Sequence, residues 1–261
     1  MTKYQMIFML LSGAFVFGSI VGSFLNVCIY RIPEGLSVVS PRSRCPKCET
    51  PIAWYQNVPI LSWLFLRGRC AQCKVRISAR YPLIEALNGL LYALTFYYFF
   101  LSWATPVYFV FLSMLVVVTF IDIDHQIIPN IISLPGVFFG VLASFVIPWL
   151  PWSDSLFGVV AGGGLLFLIA AGYKVLTGKE GMGMGDVKLL AMIGAFLGWQ
   201  AILPVVFIGS LVGSLIGVPL IIAKKADGKL ALPFGPFLSL AAVIYLFWWD
   251  SLFSWYQAFF Y

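Results

Sequence analysis

The chain has 261 residues, of which 61% are hydrophobic and only 10% are charged, and its formal net charge is +6. Soluble domains carry about 25% charged residues, so this composition excludes an ordinary soluble protein and predicts a chain that crosses a lipid bilayer several times. The basic balance is attributed to membrane topology and anionic lipid headgroups, and nucleic acid is not an expected partner.

Eight apolar segments are candidates for membrane spans, each of which takes about 20 residues. They cover residues 6–30, 83–103, 105–121, 131–151, 155–176, 187–198, 200–223 and 232–250. The first is too long for the apolar part of a signal peptide, and no small-residue cleavage pattern ends it, so we expect it to be retained. The predicted fold class is therefore an all-α polytopic membrane protein with about eight transmembrane helices and one hydrophilic insert.

The predicted domain order is a first transmembrane helix at 1–30, a hydrophilic insert at 31–82 and a transmembrane domain at 83–261. Lys and Arg concentrate in cytoplasmic loops of membrane proteins. When the insert is placed in the cytoplasm, every Lys and Arg except Lys3 lies in or next to a cytoplasmic segment. This orientation is therefore the predicted one.

Four cysteines of the insert form two Cys-x2-Cys pairs, at Cys45 and Cys48 and at Cys70 and Cys73. Two such turns bring four thiolates together, which is the ligand set of a structural zinc site with no open coordination position. Two disulfides are the alternative, which the reducing cytoplasmic compartment disfavours. A segment of this size also needs a metal to fold on its own. Cys28, in the first span, is interpreted as a small buried apolar side chain.

Two aspartates lie where apolar runs meet the membrane edge. Asp122 opens the sequence D-I-D-H-Q-I-I-P-N, and Asp186 closes the sequence G-M-G-M-G-D. An acid in this position is costly and is a candidate functional residue. The predicted topology puts both on the cytoplasmic face, where they can meet. One of two adjacent carboxyl groups keeps its proton while the other is ionised, which is the working state of an aspartic protease.

The residues around each aspartate leave several interpretations open. Asp124 and His125 can bind a metal ion together with Asp122, or they can be solvated loop residues before the next helix. Gly183 and Gly185 let the backbone approach an extended substrate closely. Asp186 stands at a predicted helix N-terminus, where the helix dipole favours the charged form, so it can be the ionised member of the pair.

Taken together, the motifs resemble those of the type IV prepilin peptidases, bifunctional leader peptidases and N-methyltransferases of the A24 aspartic family, which are GxGD-type proteases. The resemblance rests on the two cysteine pairs and on residues 22–33, 77–85, 121–130, 181–189 and 232–237. The family's catalytic pair is the aspartate seven residues before the proline of the first motif and the aspartate of GxGD. Those positions are Asp122 and Asp186 here, and Asp124 is left as an accessory residue.

The resemblance implies an enzyme of the bacterial inner membrane, with its active site and zinc insert facing the cytoplasm. It implies cleavage of prepilin or pseudopilin leaders after a glycine, followed by methylation of the new N-terminal residue with S-adenosylmethionine. Glu85 is then either part of a structural ion pair with Arg80 or a residue of the methyl-transfer step. Lys188 either marks the cytoplasmic boundary or meets a carboxylate of the pilin. The lipid bilayer and the prepilin are the expected partners, and the sequence does not fix the oligomeric state.

Two other classes of function are compatible with the same acids. An ion-coupled transporter would use Asp122 and Asp186 as a cation site. The absence of a clear internal repeat, and the placement of both acids at one face instead of mid-membrane, disfavour this alternative. A zinc-bearing membrane scaffold without chemistry is the third interpretation, and it predicts that substitution of either aspartate is silent.

Overall fold

The computed structural model describes residues 2–179, 181–224 and 232–260 of the chain, and these residues are helical apart from loops, turns and two isolated β-bridges in the insert. The α-helices are α1 (Lys3–Arg31), α2 (Leu61–Phe65), α3 (Arg80–Phe99), α4 (Ala104–His125), α5 (Asn130–Ala143), α6 (Trp152–Thr177), α7 (Met184–Leu197), α8 (Ile202–Lys224) and α9 (Gly235–Phe260). Short 3-10 turns lie at Trp54–Asn57 and Trp199–Ala201. The all-α prediction is confirmed for the described ranges.

Every predicted span overlaps one helix, α1 or one of α3 to α9, although the predicted spans 83–103 and 131–151 run past the ends of α3 and α5. Four segments are long and apolar enough to cross a membrane, namely Tyr4–Arg31, Ala104–His125, Trp152–Thr177 and Trp199–Leu220. Asn130–Ala143 and Gly235–Trp249 are apolar but shorter. A chain with at least four candidate membrane helices is therefore established among the described residues, and eight crossings stay a prediction.

The chain divides into two compact units, Met1–Val117 and Val118–Tyr261, with the boundary inside α4. The predicted domains at 1–30, 31–82 and 83–261 were defined by membrane topology, whereas these two units are defined by how compactly the chain packs. The predicted domains therefore stay a prediction.

In the first unit, a buried polar network joins α1, α3 and the start of α4. The Asn88 side-chain amide donates to the carbonyl oxygen of Gly18 over 2.7 Å, and the Ser113 hydroxyl donates to Asn88 Oδ1 over 3.2 Å. Tyr92 and Ser113 share a further hydrogen bond of 3.0 Å. Each of these buried groups has a partner, as a polar group in an apolar interior requires.

The second unit is built around α7, which has 14 residues and is about 21 Å long. After Lys188 its side chains are apolar around the whole helix, and nine of its residues between Val187 and Phe196 are buried. A helix with this pattern belongs in the interior of a bundle. The position of α7 matters because Asp186 lies in its first turn.

Helices α6 and α7 approach until their backbones touch. A β-carbon at Gly158 would contact the carbonyl oxygen of Gly194, and one at Gly162 would lie 2.5 Å from the carbonyl oxygen of Leu190. Gly158 and Gly162 of α6 thus serve helix packing inside the bundle. Gly164, on the same helix, faces open space.

The substitution Gly194→Ala is expected to lower the melting temperature of the purified protein, because its β-carbon would press on the backbone of Gly158. Overpacking of this kind typically costs about 1–3 kcal/mol. Gly164→Ala is the matched control and should be neutral or stabilising by about 0.5–1 kcal/mol, since alanine is the better helix former. Equal melting temperatures for the two variants would contradict the close packing.

Candidate active site and metal centre

Asp122 lies in the last turn of α4, and its side chain is only 5% exposed. The predicted span 105–121 ends four residues too early, because the helix continues to His125. The N–H of Gln126 donates to the carbonyl oxygen of Asp122 over 2.9 Å and closes the last turn. The extra turn holds Asp122 on a rigid element and not on a loop.

The Asp122 carboxylate has a main-chain partner from a distant part of the chain. The N–H of Gly235, the first residue of α9, donates to Asp122 Oδ2 over 3.0 Å. Gly235 was not among the residues predicted for the site. The available signal was the Gly-Pro step at 235–236, which predicts a helix start within the last apolar run. No pattern in the sequence gives the distance from Gly235 to Asp122.

Asp186 is half-buried in the first turn of α7, after the N-cap residue Gly183, and precedes the predicted span 187–198. Burial, and after it the negative charge of Asp122, raise the pKa of Asp186 to about 7. This shift is opposite to the expectation from the helix dipole. The dipole contributes typically 0.3–1 kcal/mol at an exposed site, which loss of solvation and a neighbouring carboxylate can exceed.

The two aspartates line one cleft with a volume of about 540 Å³. Three stretches of the chain complete it: the turn after α4, the glycine-rich stretch before α7, and the segment before α9. The lining residues are Asp122, Gln126, Ile127, Ile128, Asn130, Gly181, Met182, Gly183, Gly185, Asp186, Lys188, Leu232, Pro233 and Phe234. A cleft that holds two interacting carboxyl groups has the components for general acid and general base chemistry.

The predicted accessory residues differ in their relation to this cleft. Gly183, Gly185 and Lys188 line it, whereas Asp124 is exposed and is not among its lining residues. A β-carbon at Gly183 would lie 4.0 Å from Asp186 Oδ2, and one at Gly185 would lie 3.0 Å from the β-carbon of Ile128. Because the two glycines have no side chains, only backbone atoms line this part of the cleft next to Asp186.

Lys188 donates from Nζ to Asn130 Oδ1 over 2.7 Å. This bond links the first residue of α5 to the second turn of α7 at the rim of the cleft. Pro129 is the N-cap residue of α5 and makes no side-chain capping bond. The Asn130 side chain is used for the contact with Lys188.

The four insert cysteines sit on two turns with the same backbone pattern. In each turn the first cysteine donates its N–H to the carbonyl oxygen five residues later, from Cys45 to Thr50 and from Cys70 to Val75. The fourth residue after that cysteine has a positive φ, 54° at Glu49 and 57° at Lys74. The pattern turns each pair of thiols toward a common point.

The four sulfur atoms lie within 4.8 Å of one another and can hold a metal ion. Cys45 Sγ is 3.7 Å from Cys73 Sγ, and Cys48 Sγ is 4.0 Å from Cys70 Sγ. A tetrahedral site with Zn–S bonds of about 2.3 Å places its sulfur atoms about 3.8 Å apart, so the donor set fits zinc. Hydrogen bonds from Thr50 lower the pKa of the Cys48 thiol to about 6, which favours the thiolate.

Glu85, in the first unit, is 7% exposed in α3, and its carboxylate is held by the insert. The N–H of Ile60 donates to Glu85 Oε2 over 2.7 Å, and the Ser23 side chain contributes a further hydrogen bond. Ile60 has a φ of 61°, a strained value for a β-branched residue. Glu85 thus stabilises a strained turn of the insert, and its predicted ion pair with Arg80 stays a prediction.

Comparison with known proteins gives a consistent result over most of the chain. Residues 16–99 match the bacterial peptidase A24 N-terminal domain, and residues 109–218 match the type IV leader peptidase family. The chain is 39% identical to a prepilin leader peptidase/N-methyltransferase of Aeromonas salmonicida, with 93% of this chain and 92% of that protein aligned. The protein of the same description from Pseudomonas aeruginosa is 36% identical over 90% and 89% of the two chains. No solved structure matches the chain.

Proposed function

This chain belongs to the type IV leader peptidase family, and from that premise we propose that it removes the leader of type IV prepilins or pseudopilins and methylates the new N-terminus. The observation that carries the peptidase half is the cleft that Asp122 and Asp186 line together. Relatives of similar length are described as both leader peptidase and N-methyltransferase, which supports the pairing of the two activities.

The proposed hydrolysis uses the two carboxyl groups in different protonation states. Asp186, with its raised pKa, holds the proton and donates it to the carbonyl oxygen of the scissile bond. Asp122, held by Gly235, takes a proton from the attacking water. Collapse of the tetrahedral intermediate then returns the proton on Asp122 to the leaving amine, and Asp186 recovers its own. Asn substitution at either position removes one of these transfers.

The cleft's other predicted residues receive supporting roles. Gly183 and Gly185 leave room for the extended leader junction to lie against the loop backbone beside Asp186. Lys188, at the rim, is positioned to meet a carboxylate of the pilin segment. Asp124, exposed outside the lining of the cleft, is assigned no role in the reaction.

The proposed setting is the bacterial inner membrane. In this proposal the eight helices α1 and α3 to α9 cross the bilayer, and the Lys and Arg distribution supports an orientation with the insert and both aspartates on the cytoplasmic side. The apolar helix of a prepilin then stays in the lipid while its basic leader lies in the cytoplasm, so that the junction between them meets the cleft.

The methyl-transfer half is assigned to the insert. Cys45, Cys48, Cys70 and Cys73 would hold one zinc ion and close its coordination, so that the ion stabilises the fold of the insert. S-adenosylmethionine supplies the methyl group, as in the family. Glu85 supports this half by holding the turn at Ile60.

The direct test is to incubate the purified protein in detergent with a candidate prepilin and S-adenosylmethionine and to measure the mass of the product. We expect loss of the leader and gain of one methyl group on the new N-terminus. An unchanged precursor, across several prepilins and pseudopilins, would contradict the peptidase assignment. Cleavage without methylation would contradict the methyl-transfer half alone.

A further inference from the structure

The contact between Asp122 and the start of α9 is unusually constrained for a link between segments more than a hundred residues apart. Asp122 is 5% exposed, and the Gly235 N–H donates to its Oδ2 over 3.0 Å. Gly235 is itself buried. This hydrogen bond fixes the orientation of the Asp122 carboxylate, because a hydrogen bond to an ionised acceptor is roughly twice as strong as one between neutral groups.

The first turn of α9 offers Asp122 this donor and no other. A helix leaves its first N–H groups without partners inside the helix. Here the N–H groups of Phe237 and Leu238 both donate to the carbonyl oxygen of Phe234, over 3.0 and 3.1 Å. Pro236 has no N–H. The Gly235 N–H is therefore the donor of this turn that reaches outside it, and Asp122 accepts it.

The turn that carries Gly235 is anchored on both of its sides. Leu238 is completely buried, and Phe237 lies against α8, where a β-carbon at Gly213 would come within 3.2 Å of the Phe237 ring. An anchored first turn holds the Gly235 N–H at a constant place. The carboxylate of Asp122 is thus aligned by the fold of unit two and not by a mobile loop.

The space beside Gly235 is too small for a side chain. A β-carbon there would lie 2.6 Å from Asp122 Oδ2 and 3.3 Å from Ile128 Cδ1. The contact with the Asp122 carboxylate is too short for any real β-carbon, so that carboxylate must move, and Ile128 must also give way by a few tenths of an ångström. Any L side chain at position 235 consequently displaces the Asp122 carboxylate, Ile128 or both.

We propose that Gly235 is a positioning residue for the aspartate pair: its N–H orients Oδ2 of Asp122, and its missing side chain leaves room for that carboxylate beside Ile128. Oδ2 is then occupied, so that the proton transfers of Asp122 fall to Oδ1. This inference rests on the proposed function, because it assigns Gly235 to the peptidase reaction and not to methyl transfer.

The test compares Gly235→Ala and Gly235→Val with the wild type, using cleavage of a prepilin and, in the same preparation, methyl transfer to an already cleaved pilin. We expect Gly235→Ala to lower kcat for cleavage by about tenfold to a hundredfold, since a displacement of about 1 Å can cost this much. KM should stay within about threefold, because binding is not the step affected. Gly235→Val should lose more, in keeping with its larger side chain.

Methyl transfer, which does not use Asp122, should be unchanged in both variants and serves as the internal measure of the folded insert, while the unchanged KM for cleavage shows that the peptidase half still binds its substrate. Gly164→Ala, where the added carbon meets open space, should leave both activities at the wild-type level. Full cleavage by Gly235→Val would overturn the proposal. A parallel loss of cleavage and methyl transfer would also overturn it, because Gly235 would then have only a structural role. Absence of cleavage by the wild type would contradict the proposed function instead.

Discussion

Replacing Asp122 or Asp186 by asparagine is expected to lower the rate of leader cleavage by at least about 10³-fold, which is within the range for loss of a general acid or base. Each aspartate has a separate proton transfer, and asparagine keeps the shape of the side chain while it removes that transfer. The measurement is single-turnover cleavage of a prepilin in detergent or vesicles. Methyl transfer to a cleaved pilin should remain, because the insert lies outside the cleft lining.

Asp124→Asn is the matched control for this experiment. Asp124 is two residues from Asp122 on the same helix, but it is exposed and is not among the lining residues. Its substitution should leave cleavage within about twofold of wild type, as for most surface changes. Full cleavage by either Asp122→Asn or Asp186→Asn would refute the dyad. A scaffold without chemistry predicts instead that neither the wild type nor the variants cleave the prepilin.

Replacing Cys45 by serine is expected to remove the bound zinc, unfold the insert and abolish transfer of a labelled methyl group. Structural zinc contributes about 10–16 kcal/mol to the folding of small metal-binding modules at neutral pH, so the loss of one thiolate should be decisive. The metal content of the purified protein and the transfer of label are measured together. A strong zinc chelator should reproduce the effect in the wild type, and added zinc should reverse it.

Cys28→Ser provides the control, since Cys28 is a buried cysteine of α1 outside the four-cysteine cluster. It should retain the metal and the methyl transfer. Cleavage by Cys45→Ser shows whether the peptidase half depends on the insert. Retained cleavage means that the two halves are separable. Loss of both cleavage and methyl transfer means that the insert also supports the peptidase fold. Retained zinc in Cys45→Ser would contradict the assigned ligand set.

The helices and the chemistry of the site could be predicted because they depend on local composition. Apolar runs located the long helices of the described residues, and the two Cys-x2-Cys turns located the four-cysteine cluster, since each turn is a short-range structure. The end of α4 was misplaced because Asp122 and Asp124 read as loop residues, whereas a carboxylate with a buried donor can stay on a helix.

The features that could not be predicted all depend on contacts across long sequence separations. Gly235 acquires its importance from Asp122, which is 113 residues away. The protonation of Asp186 depends on burial and on the proximity of Asp122, and the local helix dipole alone suggested the opposite state. The packing of Gly158 and Gly162 of α6 against the backbone of α7 also depends on contacts that no local pattern gives.

The length of α7 has a consequence for the supply of water. At 14 residues it measures about 21 Å, whereas the hydrocarbon core of a bilayer is about 30 Å thick. Nine of its residues are buried against neighbouring helices, so in the proposed topology the bilayer does not have to thin around α7. The difference in length leaves room at its first turn for the cleft that Asp186 lines, and in the proposed orientation water from the cytoplasmic side reaches Asp186 there without passing through lipid. The proposed cleavage can then take place while the apolar helix of the substrate stays among the acyl chains.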